Sequence, residues 1–189
     1  MTRLRQAAAY AGVDGERIGA VLIVAMDIVR LTNRHWEAVR RIHEEGISTG
    51  SATFETEPDP DWEAWNDSHL QFGRLVALLQ GEVAGWAALS AISNRCVYAG
   101  VAETSIYVGA EHRGRGVGSA LMGSLIDESE GNGIWTLEAR IFPENGASVR
   151  LHEKFGFRTV GVREKLGKSG PTWKDVLLLE RRSQRVGVD

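Results

Sequence analysis

One cysteine, Cys96, is all the thiol in 189 residues. No disulfide can close within the chain, and such usage fits a reducing compartment, so a cytoplasmic location is expected. The five histidines and this cysteine show no metal-ligand spacing, and no metal is expected. Neither charge sign dominates. Lys and Arg number 22 against 25 Asp and Glu, a net −3, which speaks against a nucleic-acid surface. No apolar run can cross a bilayer, so no membrane partner is expected. The stretch Ile18 to Met26 is too short, and it follows Asp14 and Glu16, which spoil it as a secretory segment despite Arg3 and Arg5. There is no internal repeat and no low-complexity segment.

What is present is ordinary globular material, 43% hydrophobic and 25% charged, enough for one domain with a core. Residues 1–25 read as an N-terminal extension outside the fold, with Met26 as the natural start. Residues 26–183 read as the domain and 184–189 as a flexible polar tail. The periodicities predict a strand at Ile28–Leu31 and a helix capped by Thr32 or Asn33, with Trp36, Val39, Ile42 and Ile47 on its apolar face. A loop from Ser48 to Pro60 and a second helix from Asp61 to Leu70 follow. Arg74–Gln80 and Val83–Ser90, split by Gly81-Glu82, read as a hairpin. After a loop, Ala102–Val108 is a strand, Val117–Glu130 a helix, Ile134–Ile141 a strand and Asn145–Phe155 a helix stopped by Gly156. Arg158–Lys165 and Trp173–Glu180 are two closing strands. The order is β-α-α-β-β-β-α-β-α-β-β, an α/β domain.

The most informative stretch is His112-Arg113-Gly114-Arg115-Gly116-Val117-Gly118, set between a strand and a helix. Its glycines leave backbone N–H groups bare at the positive end of that helix, which suits a pyrophosphate. A nucleotide P-loop would need a lysine beside Gly118-Ser119. A dinucleotide fingerprint would sit in the first βα turn, not after the fourth strand.

That order, with Arg113-Gly114-Arg115-Gly116-Val117-Gly118 after the fourth strand and Asn145-Gly146-Ala147-Ser148 leading to His152-Glu153-Lys154-Phe155-Gly156-Phe157, resembles the GNAT N-acetyltransferase superfamily over residues 27–180. Thr53-Phe54-Glu55-Thr56-Glu57-Pro58, Ala102-Glu103-Thr104-Ser105-Ile106-Tyr107-Val108, Ser148-Val149-Arg150-Leu151-His152-Glu153 and Trp173-Lys174-Asp175-Val176 look like its phosphinothricin and methionine-sulfoximine acetyltransferase branch. The resemblance implies a mixed, mostly antiparallel sheet of about seven strands with four helices. It also implies acetyl-CoA as cosubstrate, as acceptor a small amino acid of the glutamate-like toxic kind (phosphinothricin, methionine sulfoximine or arsinothricin), direct attack in a ternary complex, and a homodimer.

It further implies site residues. Arg113, Gly114, Arg115, Gly116, Val117, Gly118 and Ser119 would hold the pyrophosphate, and Ile106, Tyr107 and Val108 would pair with the pantetheine and supply an oxyanion donor. Asn145 would be a helix cap, a cofactor contact, or both. Glu103 is the candidate general base; as a plain glutamate at a strand start it would be merely solvated. His152, one residue past core-facing Leu151, would face the cleft and protonate the leaving thiolate or assist the base, unless it is a surface histidine. Phe54, Glu55, Thr104, Arg95, Tyr98 and Trp173 are candidate substrate contacts, with Arg95 poised to grip a carboxylate and Trp173 from either subunit. His35, His43 and His69 lie on helices and carry no assignment, and His112 reads as exposed. The alternatives are a protein or peptide N-acetyltransferase and a non-catalytic acyl-CoA-binding module.

Overall fold

The computed structural model describes residues 4–5 and 25–188. Seven strands form the body of one sheet: β2 (Met26–Arg30), β3 (Leu75–Leu79), β4 (Glu82–Ala91), β5 (Val101–Val108), β6 (Thr136–Ile141), β7 (Arg158–Ser169) and β8 (Thr172–Arg182). A two-residue strand, β1 (Leu4–Arg5), pairs antiparallel with Asp27 and Ile28 at one edge. The remainder of the expected N-terminal extension lies outside the described residues. The helices are α1 (Trp36–Ser48), α2 (Trp62–Ser68), α3 (Val117–Gly131) and α4 (Gly146–Lys154). The spatial order is β1-β2-β3-β4-β5-β6-β8-β7, and only β5 and β6 run parallel. The expected architecture is therefore the observed one.

Two cores form because the sheet is covered on both faces. On one face, Leu121, Met122 and Leu125 of α3 pack on Leu75, Ala77, Ala87 and Leu89. On the other, Val39 and Ile42 of α1 and Trp65 of α2 pack on Val76, Trp86 and Ala88. Strand alternation sorts each residue to its core: in β4, odd-numbered Ala87 and Leu89 go one way, and Trp86 and Ala88 the other.

Element limits differ from expectation in ways that have causes. β7 and β8 run further than the apolar pattern, since the side chains of β7 and of the first residues of β8 are mostly exposed and cross-strand pairing holds them. α2 stops at Ser68, where the buried Arg74 takes over: its guanidinium donates to the Asn66 side chain (2.6 Å) and to the carbonyls of Asn66 (2.7 Å), His69 (2.6 Å) and Leu70. Hydrogen bonds surround the start of the segment 184–189. Ser183 Oγ donates to Glu130 (2.9 Å), Arg185 pairs with Glu130 (3.2 Å), and Arg182 donates to the carbonyls of Val186 and Gly187.

The feature that positions the site is where pairing stops. β5 and β6 are in register only from Val101↔Thr136 to Glu103↔Glu138. Beyond that, β5 stays with β4 through Gly85↔Val108, whereas β6 stays with β8 through Ile141↔Leu177. The two strands splay, and the β6-facing backbone groups of β5 after Glu103 lose their strand partner.

Candidate active site

A cavity of about 920 Å³ opens at this splay and runs through the sheet from one face to the other. The alternation of β5 divides it. Thr104, Ile106 and Val108 face α3 and α4, while Glu103, Ser105 and Tyr107 face α1 and α2.

On the α3 and α4 side, the floor leads to the glycine loop. Gly116 caps α3 with φ 82°, a left-handed conformation cheap only for glycine, and no side chain caps the helix. The first-turn N–H groups have no intrahelical partner, so they point free at the positive helix end. Gly118 lets α3 sit close to α4: an added Cβ would lie 3.2 Å from Leu151. Arg113 Nε lies 3.3 Å from the Val108 carbonyl, folded back over the loop. Arg115 is exposed, and Lys154 donates to Ser119 Oγ at 3.2 Å. His112, expected at the surface, lines the cavity with a buried Nδ1 that has no hydrogen-bond partner among the described residues. Asn145 caps α4, accepting from Ser148 N–H (3.1 Å), and its amide N–H lies 3.3 Å from the Ser51 carbonyl, so it ties the 49–55 loop to the helix.

His152 is on this side, 4% exposed, edge-on to Phe157. Its Nδ1 lies 2.8 Å from the Ser148 carbonyl, which only accepts, so Nδ1 carries the proton. Burial, opposed by that bond, pulls its pKa below the usual histidine value. The ring is therefore neutral near pH 7, with the Nε2 lone pair toward Thr104 Oγ1 at 3.3 Å. A neutral, low-pKa imidazole is a poor proton donor, so the expected role of acid toward a leaving thiolate does not suit it. Thr104, expected to touch substrate, has one hydroxyl proton and two alternative acceptors for it, the Glu138 carbonyl (3.2 Å) and His152 Nε2.

On the α1 and α2 side, Glu103 pairs with Arg140, whose guanidinium also lies 3.5 Å from Glu138. Burial pushes the Glu103 pKa up and Glu138 adds to this, with Arg140 opposing. Tyr107 stacks on Trp86 at 4.7 Å, and burial pushes its hydroxyl well above the ordinary phenol range. Its ring presses on Gly46 of α1, where an added Cβ would come to 2.7 Å. Phe54 packs edge-on against Phe142 (4.7 Å), and Glu55 Oε2 lies 2.9 Å from His43 Nε2 at an oblique angle.

The structure thus gathers Glu103, Thr104, Ile106, Tyr107, Val108, the loop from Arg113 to Ser119 (Arg115 apart), Asn145, His152, Phe54 and Glu55 around one cavity. It does not bring Arg95, Tyr98 or Trp173 there. Arg95 and Tyr98 sit on the exposed 3-10 turn after β4, with the guanidinium over the Tyr98 ring at 5.6 Å. Trp173 is 52% exposed on the β7–β8 hairpin, under Lys168 at 4.8 Å. Within this chain these three are corrections. The loop and the hairpin turn project outward, so their side chains meet solvent. Missed by the sequence reading were Arg140, His43 and His69, which line the cavity. Strand parity with Glu103 was the one signal that pointed to Arg140. Among the described residues, no group of three His, Cys, Asp or Glu could hold a metal, and no helix is long and apolar enough to cross a membrane.

Comparison with known proteins fits this geometry. The model of the "Acetyltransferase (GNAT) family" matches residues 36–157. A phosphinothricin N-acetyltransferase of Streptomyces coelicolor is 37% identical over 136 residues, covering 68% of this chain and 80% of that protein. An L-methionine sulfoximine/L-methionine sulfone acetyltransferase of Pseudomonas aeruginosa is 29% identical over 121 residues, covering 62% of this chain and 70% of its own. The crystal structure of a phosphinothricin acetyltransferase from Sinorhizobium meliloti in complex with AcCoA superposes with a TM-score of 0.80 at 28% identity, covering 87% of this chain and 91% of that one.

Proposed function

The chain belongs to the acetyltransferase (GNAT) family and is an acetyl-CoA-dependent N-acetyltransferase; on that premise we propose that its acceptor is the α-amino group of a small amino acid, of the kind named by phosphinothricin and methionine sulfoximine. Detoxification of such analogues would be its biological task. The observation that carries the reading is the division of the cavity by β5, which places a bare helix N-terminus and His152 on one side and Glu103 with Arg140 on the other.

The bare N–H groups from Gly116 to Ser119, with Arg113 beside them, suit the pyrophosphate of acetyl-CoA. Acetyl-CoA supplies the activated acetyl thioester. The unpaired edge of β5 at Ile106 to Val108 offers N–H donors where charge develops on the acetyl oxygen. Glu103 accepts the proton of the amine. Its raised pKa makes it a stronger base than a free glutamate. Arg140, rather than Arg95, is the guanidinium on this side and meets the acceptor carboxylate. His152 orients Thr104 on the opposite wall. Attack occurs in a ternary complex, since both halves of the cavity open on the same gap between β5 and β6. The reading includes a homodimer, for which Val97, Tyr98, Val160, Val162 and Trp173 are exposed apolar side chains.

The test is free-thiol release from acetyl-CoA with phosphinothricin, methionine sulfoximine, common amino acids and a peptide N-terminus. Release with the small amino acids and not the peptide supports the reading. Release with the peptide foremost replaces it by protein acetylation, and acetyl-CoA binding without any release replaces it by a binding module.

A further inference from the structure

One wall of the acceptor side carries a charge arrangement that proton removal does not use. Glu55, in the loop after α1, turns a half-open carboxylate to the cavity. Its partner His43 is 5% exposed and lies edge-on against the stacked rings of Tyr107 (4.7 Å) and Trp86 (5.7 Å), so the imidazole has no room to swing away. The contact with His43 holds the Glu55 pKa below the ordinary range, against burial, so this carboxylate is charged at neutral pH.

The rest of the wall has the same sense. Asp59 adds a second carboxylate. His69 Nδ1 lies 2.7 Å from the Trp65 carbonyl, so Nδ1 carries the proton; burial lowers its pKa and leaves Nε2 an acceptor. The two guanidinium groups lining the cavity contact other parts of it, Arg113 at the Val108 carbonyl and Arg140 at Glu103, where the acceptor carboxylate is received. This wall presents acceptors and negative charge to the incoming molecule.

We propose that Glu55, in contact with His43, reads the tip of the acceptor's side chain, admitting a neutral or cationic N–H donor and rejecting an anion. The inference rests on the small-amino-acid reading above and narrows it. A carboxylate gains a charge-assisted hydrogen bond from an N–H and repels a phosphinate. Glu55 is then a specificity residue and His43 a positioning residue acting through it.

Methionine sulfoximine and methionine sulfone provide the test, for they differ by an N–H in place of an oxygen. Thiol release gives kcat/KM for both and for phosphinothricin. The wild-type protein is expected to favour sulfoximine over sulfone by about tenfold, and over phosphinothricin by more. Glu55→Gln should bring the sulfoximine-to-sulfone ratio toward unity and raise phosphinothricin, and His43→Phe should narrow both ratios. Ratios within one protein are insensitive to its folded fraction, and the wild-type comparison needs no variant. Phosphinothricin equal to or better than sulfoximine, or ratios unchanged in Glu55→Gln, overturns the assignment and leaves the acetyltransferase reading standing. No release with any of the three overturns both.

Discussion

Glu103 and Thr104 are neighbours in the chain that face opposite ways, and the proposed chemistry depends on it. Glu103 belongs to the acceptor side and Thr104, with His152, to the glycine-loop side. Glu103→Gln is expected to lower kcat/KM by about 10² to 10⁴, the usual worth of a general base. Because burial raises the Glu103 pKa, activity should fall with acid through a limb above the ordinary glutamate range, and Glu103→Gln should lack that limb. Arg140 opposes this rise. Arg140→Gln should therefore move the limb to higher pH and raise the KM for amino acids, but not for amines without a carboxylate; steady-state pH profiles with both acceptor types check this. An unmoved limb would remove Arg140 from the pair. At this scale Glu103, His152 and the glycine loop were legible because they lie in contiguous motifs. Arg140 and His43 were not, since each is an isolated residue whose importance comes from what the sheet and α1 place beside it.

At the scale of elements, the site is made by a strand that changes partner. β5 leaves β6 at Glu103 and keeps β4, and the approach of β4 to β5 is tight at Gly85, where an added Cβ would lie 2.8 Å from the Tyr107 carbonyl oxygen. Backbone cannot yield as a side chain does, so Gly85→Ala should cost about 1–3 kcal/mol and shift Tyr107. Chemical denaturation and acetyl-CoA titration would show both effects. A variant as stable as wild type would contradict the packing. Gly116→Ala puts a Cβ on a left-handed residue at the α3 N-terminus. It should cost about 1 kcal/mol of stability and weaken acetyl-CoA binding severalfold, measured by calorimetry. Helices and most strands could be read from periodicity. The outer reach of β7 and β8 could not, because a solvated hairpin needs backbone pairing and no apolar alternation.

Over the whole molecule, Glu130 binds together parts distant in sequence. From α3 it accepts from Arg181 (2.9 Å), Ser183 (2.9 Å) and Arg185 (3.2 Å). Burial raises its pKa, but the bonds from Arg181 and Ser183 outweigh this and the net shift is downward from 4.5. A carboxyl with a depressed folded pKa contributes stability that is complete above its unfolded value and is lost as pH falls through the folded one. Stability should thus drop below about pH 4.5, and Glu130→Gln should be less stable at neutral pH with a shallower acid slope. Urea midpoints from pH 3 to 7 test it; parallel curves would refute the contribution. Legible in the sequence were the element order, the apolar faces of the helices, and a glycine loop ahead of a helix, because periodicity and glycine placement are local properties of the chain. What required the tertiary structure is that the cavity passes through the sheet, that Arg95, Tyr98 and Trp173 stay outside it, and that His43 lies 2.9 Å from Glu55 beside it. Those depend on where β5 parts from β6 and on which side chains meet across elements tens of residues apart, distances that sequence spacing does not encode.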